Sequence, residues 1–300
     1  MAEATGPVLV TGTSSGIGRA ITELLSSQGH EVIATARRRS DLEALARLRG
    51  VTPLRLDVTE DDEVGKIAQW IRDSRKGLYG LVNNAGVGGF GPLVETPVAE
   101  LQRVLDVNLY GVHRVTRACF PFLKASCGRV VNISSVAGIG TMPFFAGYGV
   151  SKHALEGYSD ILRSELASFG IRVSTIEPAN FRSEINSNFA GDRESDLTAM
   201  IRRSEFADPL RTAVDYVTGG RTPDPHRSRF PAPRPVAEAV ADALYSAAPR
   251  VRYLVVDAQE PEMAGQIYDR VLTQLSELNQ GHAYTLSGED LAARLRKVIP

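Results

Sequence analysis

The 300-residue chain is long enough for one large domain or two ordinary ones, and its 43% hydrophobic and 23% charged content is typical of a globular protein with a core. A formal net charge of -1, without long basic runs, argues against nucleic acid or anionic lipid as the main partner. No apolar run approaches the roughly 20 residues that a membrane span needs, and the N-terminus lacks a signal-peptide pattern, so we expect a cytoplasmic protein.

Short apolar runs alternate along the chain with longer amphipathic segments. The predicted strands cover residues 7–12, 31–36, 52–58, 80–85, 128–134, 172–178 and 252–256. The predicted helices include residues 17–28, 61–75, 98–124, 151–168 and 236–247. Nearly continuous Val, Ile and Leu in the strands is typical of parallel sheets that are covered on both faces. We therefore predict a single α/β domain over residues 1–300, a Rossmann-type doubly wound fold with a mostly parallel sheet of about seven strands and helices on both faces.

The first motif, TGTSSGIG at residues 11–18, lies between the first strand and the first helix. Gly12 permits a tight turn, Gly16 would let the backbone approach a phosphate, and Gly18 allows the helix to pack closely. A purely structural turn would need only one or two of these glycines, whereas the position at a helix N-terminus favours a pyrophosphate site. We assign to cofactor binding the loop residues Gly12, Ser14, Ser15, Gly16, Ile17 and Gly18.

The second strand ends in ATARRR, where many NAD sites have a carboxylate that binds the adenosine ribose. Ala36 stands at that position, followed by Arg37 and Arg38. A guanidinium can bind a ribose 2′-phosphate that a carboxylate would repel, so we predict NADP(H) in preference to NAD(H). The alternative is a solvated basic turn. Asp57 and Val58, at the end of the third strand, are assigned to the adenine end, with Asp57 as an acceptor for the amino group.

Residues 184–235 break the alternation of strands and helices. The segment is polar at first and then rich in proline and arginine, and it is too long for a simple connection. We predict that it is a substrate-lid insertion within the domain.

The stretch FFAGYGVSKHAL at residues 144–155 sets Tyr148 one helical turn before Lys152. Most Tyr–Lys pairs at this spacing are incidental, so the pair gains meaning only from the other motifs. TGTSSGIG, NNAG (83–86), Asn108 in LDVNLYG, NISS (132–135) and YGVSK (148–152) together resemble the short-chain dehydrogenase/reductase family, in order and in spacing, over roughly residues 7–185. ELASFGIRVSTIEPANF and PRVRYLVV are similar to its steroid and retinol dehydrogenase branch.

The resemblance implies a catalytic set. Tyr148 would be the general acid/base, and Lys152 would lower its pKa and bind the nicotinamide ribose. Ser135, with Ser134 as the alternative, would hold the substrate oxygen. Asn108 would support a water-linked proton path.

The resemblance also implies further cofactor contacts. Asn84, Ala85 and Gly86 lie at the end of the fourth strand, and Pro178 and Ser183 lie at or after the end of the sixth. Tyr148 and Lys152 would also contact the cofactor. Asn83 would be mainly structural. The chain departs from the family at Ala179, where glycine is usual, and at Ser183, where threonine is usual. Serine can still hydrogen-bond a carboxamide, but alanine restricts the backbone.

These features lead to one main functional hypothesis. We expect an NADP(H)-dependent oxidoreductase that interconverts a ketone and a secondary alcohol on a bulky apolar substrate, such as a steroid-, retinoid- or aryl/acyl ketone-like molecule. The expected apolar walls are Phe90, Met142, Phe144, Phe145, Phe181 and Phe189. A non-catalytic NADP(H)-binding sensor or scaffold is the alternative, although such proteins tend to lose the Tyr–Lys pair. A nucleotide-sugar epimerase or dehydratase would more naturally have another glycine spacing.

Three further expectations concern metals, thiols and assembly. The histidines are not clustered as metal ligands, so no metal site is predicted. Cys119 and Cys127 are expected to be buried or free thiols. Apolar helical faces at 98–124 and 151–168 predict a homodimer or homotetramer.

Overall fold

The computed structural model describes residues 6–183, 194–218, 230–259, 261–279 and 286–298. The chain forms two compact units, Met1–Asp257 and Ala258–Pro300. The first unit contains the sheet, and the described part of the second unit contains two helices. The single domain over residues 1–300 stays a prediction.

All seven predicted strands are present. They are β1 (Val8–Val10), β2 (Val32–Ala36), β3 (Val51–Arg55), β4 (Gly80–Asn83), β5 (Arg129–Ile133), β6 (Arg172–Pro178) and β7 (Arg252–Val255). They form one parallel sheet in the order β3-β2-β1-β4-β5-β6-β7, which confirms the doubly wound fold. The strand order reverses between β1 and β4, and ligands of such sheets bind at the carboxyl ends beside this point.

Helices cover both faces of the sheet. The α-helices among the described residues of the first unit are α1 (Gly16–Ser27), α2 (Arg39–Leu45), α3 (Asp61–Ser74), α4 (Val98–Leu105), α5 (Val112–Ser126), α6 (Ala146–Leu166), α7 (Glu194–Arg203), α8 (Ala207–Thr218) and α9 (Arg234–Tyr245). The second unit contains α10 (Glu262–Leu278) and α11 (Gly288–Val298). Side chains alternate along each strand, so Val8 and Val10 pack in one apolar core with α1 and α9, while Leu9 packs in the other with α3 and α5.

The predicted helix at 98–124 contains a π-helical segment. Asp106–Gly111 joins α4 to α5 with π-helical backbone and carries Asn108. π-Helical segments are rare in proteins, and many of those that exist lie at functional sites. Gly111 is needed here because a Cβ atom would lie 2.6 Å from Val58 Cγ2. The segment therefore brings the helix close to the end of β3.

Part of the predicted insertion has regular structure. Helices α7 and α8 lie within 184–235, and Leu210 and Val214 of α8 form a small apolar cluster with Phe90 and Phe144. Residues 184–193 and 219–229 lie outside the described residues. The lid function stays a prediction.

Two properties of the described chain bear on the remaining expectations. Cys119 is buried and Cys127 is exposed, and both are free, as expected. Burial raises the pKa of the Cys119 thiol to about 12. Among the described residues, no helix is both long and apolar enough to cross a membrane.

Candidate active site

A cleft opens at the carboxyl ends of the strands, where the strand order reverses. Its lining includes most of the predicted site residues: Gly12, Ser14, Ser15, Ile17, Gly18, Arg37, Asp57, Val58, Asn84, Ala85, Gly86, Ser135, Tyr148, Lys152, Pro178 and Ser183. Gly16, Arg38 and Asn108 do not line it. The motifs that are distant in sequence therefore converge on one cavity.

The glycines of the first loop allow three close approaches. Gly12 has a φ of +68°, and a Cβ atom there would lie 2.8 Å from Ala85 Cα. A Cβ atom on Gly18 would lie 2.2 Å from the Gly12 carbonyl oxygen, so α1 packs against its own loop. Gly16 has a φ of +54° and faces Ser183, whose Cα would lie 3.2 Å from a Cβ atom. Glycine at residue 16 therefore permits close packing against Ser183, and the phosphate contact predicted for Gly16 stays a prediction.

The N-terminus of α1 fits an anionic ligand. Its N-cap residue, Ser15, makes no side-chain hydrogen bond to the helix, and the first turn contains no acidic residue. The first N–H groups of a helix need partners outside the helix, and its positive dipole end favours negative charge. Ser14, Ser15 and Ile17 line the cleft at this point. The loop therefore has the donors that a pyrophosphate requires.

Asn84 ties the end of β4 to the glycine loop. Its Nδ2 atom donates to the carbonyl oxygens of Thr11 and Gly12, both at 2.9 Å. Its backbone N–H donates to Thr11 Oγ1 at 2.9 Å. Asn83 points into the fold instead and donates to Asn132 Oδ1 at 2.9 Å, in keeping with a structural role.

The end of the cleft beside β2, where the sequence predicts the adenosine ribose, is lined by Arg37, and we call it the ribose end. Arg37 lines the cleft, its side chain is 66% exposed, and its Nη1 lies 3.6 Å from Asp57 Oδ2. Burial raises the pKa of Asp57, but hydrogen bonds from Thr59 and the charge of Arg37 outweigh it and hold the pKa below its usual value. Ala36 is buried at the position of the usual acid. Arg38 is the N-cap residue of α2 and does not line the cleft, so it fits the alternative of a basic turn better than Arg37 does.

Tyr148 and Lys152 lie together on α6. This helix begins at Ala146, five residues earlier than predicted, so both side chains belong to its first turns. Lys152 Nζ donates to the Ile133 carbonyl oxygen at 2.8 Å and lies 5.6 Å from the centroid of the Tyr148 ring. The Tyr148 hydroxyl has a hydrogen bond with Ser135. Serine, tyrosine and lysine thus form one buried polar group beside the cleft.

Burial controls the titration of this group in the protein alone. It raises the pKa of Tyr148, and the hydrogen bond with Ser135 opposes the rise only in part. It lowers the pKa of Lys152 to about 8, against the opposing charge of Glu156. Desolvation of the phenolate is the largest influence on the Tyr148 pKa, and the lowering of that pKa by Lys152 stays a prediction.

Asn108 holds two backbone segments together. Its Nδ2 donates to the Val87 carbonyl oxygen and to Ser151 Oγ, both at 2.9 Å, and its Oδ1 accepts from the Val87 N–H at 2.8 Å. Ser151 precedes Lys152, so these hydrogen bonds connect the π-helical segment to the part of α6 that carries Tyr148 and Lys152. The proton path that was predicted for Asn108 stays a prediction.

The departure at Ala179 does not strain the backbone. Ala179 is not among the described non-glycine residues with positive φ, and its N–H donates to the Val255 carbonyl oxygen at 2.8 Å. Ser183 lines the cleft as expected. Alanine is therefore accommodated at the end of β6, and the contact of Ser183 with the nicotinamide stays a prediction.

Apolar side chains form the other wall. Met142, Phe145 and Phe181 line the cleft, whereas Phe90 and Phe144 pack against α7 and α8, and Phe189 lies outside the described residues. Lining residues that sequence reasoning did not assign to the site include Leu56, Val87, Val107, Ile133, Val136, Ala137 and Asn180. Several of these are direct neighbours of motif residues, which is the one signal in the sequence that could have identified them.

Among the described residues, no group of three His, Cys, Asp or Glu side chains could hold a metal ion.

The comparisons with known proteins agree with this geometry. A sequence model described as short chain dehydrogenase matches residues 7–194. The chain therefore belongs to the short-chain dehydrogenase/reductase family, in its steroid and retinol dehydrogenase-like branch, and is an oxidoreductase that acts on CH–OH groups with NAD(P).

Two curated relatives show the range of this branch. The chain is 34% identical to D-beta-hydroxybutyrate dehydrogenase, mitochondrial, of Bos taurus, in a match that covers 83% of this chain and 76% of the relative. It is 44% identical to retinol dehydrogenase 5 of Homo sapiens, in a match that covers 59% of this chain and 57% of the relative.

Solved structures share the fold. A short-chain dehydrogenase from Streptomyces avermitilis superposes with a TM-score of 0.74 at 31% identity, covering 92% of this chain and 97% of that chain. A Burkholderia phymatum enzyme in complex with NAD has a TM-score of 0.75 at 24% identity, covering 96% of this chain and 100% of that chain. A Burkholderia cenocepacia enzyme in complex with NADP has a TM-score of 0.65 at 22% identity, covering 99% and 98% respectively.

Proposed function

We propose that this short-chain dehydrogenase interconverts a ketone and a secondary alcohol with NADP(H), on a neutral, bulky and apolar substrate, with Tyr148 as the proton donor and acceptor. The observation that carries the proposal is the buried Tyr148–Ser135–Lys152 group beside a cleft that the glycine loop also lines. A binding protein without catalysis would have no need of this buried set.

The chain's own residues supply the proton and hold the substrate. Bound nicotinamide supplies the hydride chemistry. Ser135 donates to the substrate oxygen and holds it within reach of the Tyr148 hydroxyl. Tyr148 gives its proton to that oxygen in ketone reduction and accepts one in alcohol oxidation. Reduction leaves Tyr148 as a phenolate, and oxidation starts from that phenolate. The Lys152 ammonium stabilises it in both directions.

The cofactor preference rests on Arg37. This side chain lies at the ribose end of the cleft, partly exposed, with Ala36 rather than a carboxylate before it. A 2′-phosphate would gain a charge-assisted hydrogen bond from the guanidinium and would meet no acid at residue 36. Asp57 keeps Arg37 near the cleft but would also compete with the phosphate for it. We expect NADP(H) to bind more tightly than NAD(H).

The substrate class rests on the charge of the cleft wall. Among the described residues that line the cleft, Arg37 and Lys152 are the cations, and Arg37 lies at the ribose end. The substrate end is formed by apolar side chains such as Met142, Phe145 and Phe181. A carboxylate there would be desolvated without a dedicated partner, which is costly. These residues suit a retinoid- or steroid-like ketone better than a short hydroxy acid.

A substrate panel tests the proposal. Steroid, retinoid, aryl and acyl ketones with their alcohols, and 3-hydroxybutyrate as the charged competitor, would be assayed with NADPH and NADH side by side. We expect the highest kcat/KM for a neutral apolar ketone with NADPH. Preference for hydroxybutyrate would contradict the substrate class, preference for NADH would contradict the cofactor assignment, and cofactor binding without turnover on any member would favour the sensor alternative.

A further inference from the structure

A cluster of charged side chains lies behind the catalytic helix. It consists of Glu156 and Asp160 on α6, Glu177 on β6 and Arg252 on β7. Arg252 Nη1 donates to Glu156 Oε2 and, at 3.0 Å, to Glu177 Oε1. Arg252 Nη2 donates to both carboxylate oxygens of Asp160, at 2.8 and 2.9 Å. We call these four residues the Arg252 cluster.

The Arg252 cluster contains more negative than positive charge. Arg252 faces three carboxyl groups, but Asp160 is 45% exposed and also accepts a hydrogen bond from Arg163 at 3.0 Å. Arg252 is therefore shared by two buried carboxyl groups, Glu156 and Glu177, and Glu177 is only 1% exposed. Burial, together with the charge of Glu156, raises the pKa of Glu177 to about 7 in spite of its bond to Arg252. A buried surplus of negative charge is stabilised by a further cation.

Lys152 is the cation that adjoins the cluster. Glu156 follows it by one turn on the same side of α6, the spacing at which helix side chains interact. Glu156 Oε1 is buried and has no hydrogen-bond partner among the described residues, while Oε2 is held by Arg252. The hydrogen bond of Lys152 goes to a neutral acceptor, the Ile133 carbonyl. Of the groups around the buried ammonium, Glu156 is the one whose charge favours its protonated form.

We propose that Glu156 is a positioning residue that keeps Lys152 charged, and that Arg252 anchors the Glu156 carboxylate for this purpose. The proposal rests on the proposed function, in which the Lys152 ammonium stabilises the Tyr148 phenolate. Without the carboxylate, the contacts that favour the buried ammonium among the described residues would be the Ile133 carbonyl and the Tyr148 ring. A neutral amine would then form at lower pH, and it would not stabilise the phenolate.

The charge of Lys152 can be measured directly. The chain has five lysines, Lys66, Lys76, Lys124, Lys152 and Lys297, so side-chain ¹³C signals of labelled lysine can be resolved by NMR in the full-length protein. Lys152→Arg serves only to identify the signal. In Glu156→Gln, which keeps the shape of the side chain, we expect the pKa of Lys152 to fall by about one pH unit or more. Glu165→Gln, at an exposed position of the same helix, should leave it unchanged.

The pH dependence of activity provides a second measurement, which would not change if Glu156 had only a structural role. The alkaline limb of kcat/KM for ketone reduction should shift to lower pH in Glu156→Gln by the same amount as the NMR pKa. An unchanged Lys152 pKa in folded Glu156→Gln would overturn the proposal and leave Glu156 as a mere partner of Arg252.

Two further arms keep the test decisive. If Glu156→Gln does not fold, Glu177→Gln removes one charge of the surplus and leaves the Glu156–Arg252 pair intact. We then expect a smaller fall in the Lys152 pKa above pH 7, and no fall would overturn the proposal. Because the NMR titration needs no substrate, its failure is distinguishable from a failure of the proposed function, which would appear as a lack of turnover in the unchanged protein.

Discussion

The pKa values of single residues in the site depend on the opposing effects of burial and of neighbouring charges. Tyr148 and Lys152 both lose water in the fold, so in the protein alone the pKa of the phenol is raised and that of the ammonium is lowered. A charged neighbour therefore has more influence here than it would have at the surface. This is why the alkaline behaviour of Lys152 is expected to depend on Glu156.

The identity of the catalytic serine is testable at this scale. Ser135 has a hydrogen bond with Tyr148, whereas the Ser134 hydroxyl is buried and has no hydrogen-bond partner among the described residues. Ser135→Ala should reduce kcat on the order of a hundredfold or more, because a donor to the substrate oxygen is lost. Ser134→Ala should retain most of the activity in the same steady-state assay. The reverse ranking would identify Ser134 as the catalytic serine.

The cofactor preference is a second residue-scale prediction. Arg37→Gln should raise the KM for NADPH about tenfold or more, because a charge-assisted hydrogen bond to the 2′-phosphate is lost, and should hardly change that for NADH. Arg39→Gln is the matched control, since Arg39 is exposed and paired with Glu43. Equal effects of Arg37→Gln on the two cofactors would show that the arginine does not bind the 2′-phosphate.

At the scale of elements, the sequence predicted strands better than helix starts. Apolar runs such as residues 31–36 and 128–134 form strands that are buried on both faces, so nearly continuous hydrophobic sequence identifies them. Helix α6 starts early because Ala146 and Gly147 pack closely, Gly147 against Val104 of α4, and such long-range packing leaves no local signal.

Other features of the site depend on contacts between distant parts of the chain. The motifs predicted which residues would line the cleft, since their spacing is local. They could not predict that Gly16 packs closely against Ser183. Arg252 likewise meets Glu156 from 96 positions away, which the sequence does not indicate. The polar residues of a site can therefore be read locally, but their charged surroundings cannot.

The packing of helices α7 and α8 leads to a prediction about how the KM depends on substrate size. Leu210 is fully buried, in a small cluster that joins these helices to Phe90 and Phe144. Leu210→Ala should destabilise this cluster by about 2–5 kcal/mol. If the helices cover the substrate, the KM for bulky ketones should rise more than that for small ones, and hydrogen exchange should increase in 194–218 but not in the strands. Arg211→Ala, which alters an exposed neighbour, is the control, and an unchanged KM for bulky ketones in Leu210→Ala would contradict the covering role.

At the scale of the whole molecule, the helical faces predicted for self-association each carry an exposed apolar side chain. On the helical faces predicted for this purpose, Tyr110 is 52% exposed and Ile161 is 62% exposed. Large apolar side chains in such positions are common at interfaces. We propose that copies of this chain pair through these faces as a homodimer or homotetramer.

Light scattering after size exclusion tests the assembly. The unchanged protein should elute as a dimer or tetramer, and Ile161→Asp should shift it toward the monomer, because a carboxylate would be desolvated at the interface. Glu165→Gln, at an exposed position on the same helix, should not. A monomer at micromolar concentration in the unchanged protein would contradict the proposal.

The central claim is that the Tyr148 hydroxyl moves the proton, and Tyr148→Phe tests it most directly. The change removes one oxygen and should reduce kcat for ketone reduction by about 10²–10⁴-fold, while the Kd for NADPH stays within about twofold. Tyr79→Phe is the matched control, because its hydroxyl donates to the Leu244 carbonyl oxygen at 2.9 Å inside the fold. Loss of turnover with retained NADPH binding in Tyr148→Phe alone is the predicted result, and full turnover in that variant would contradict the account.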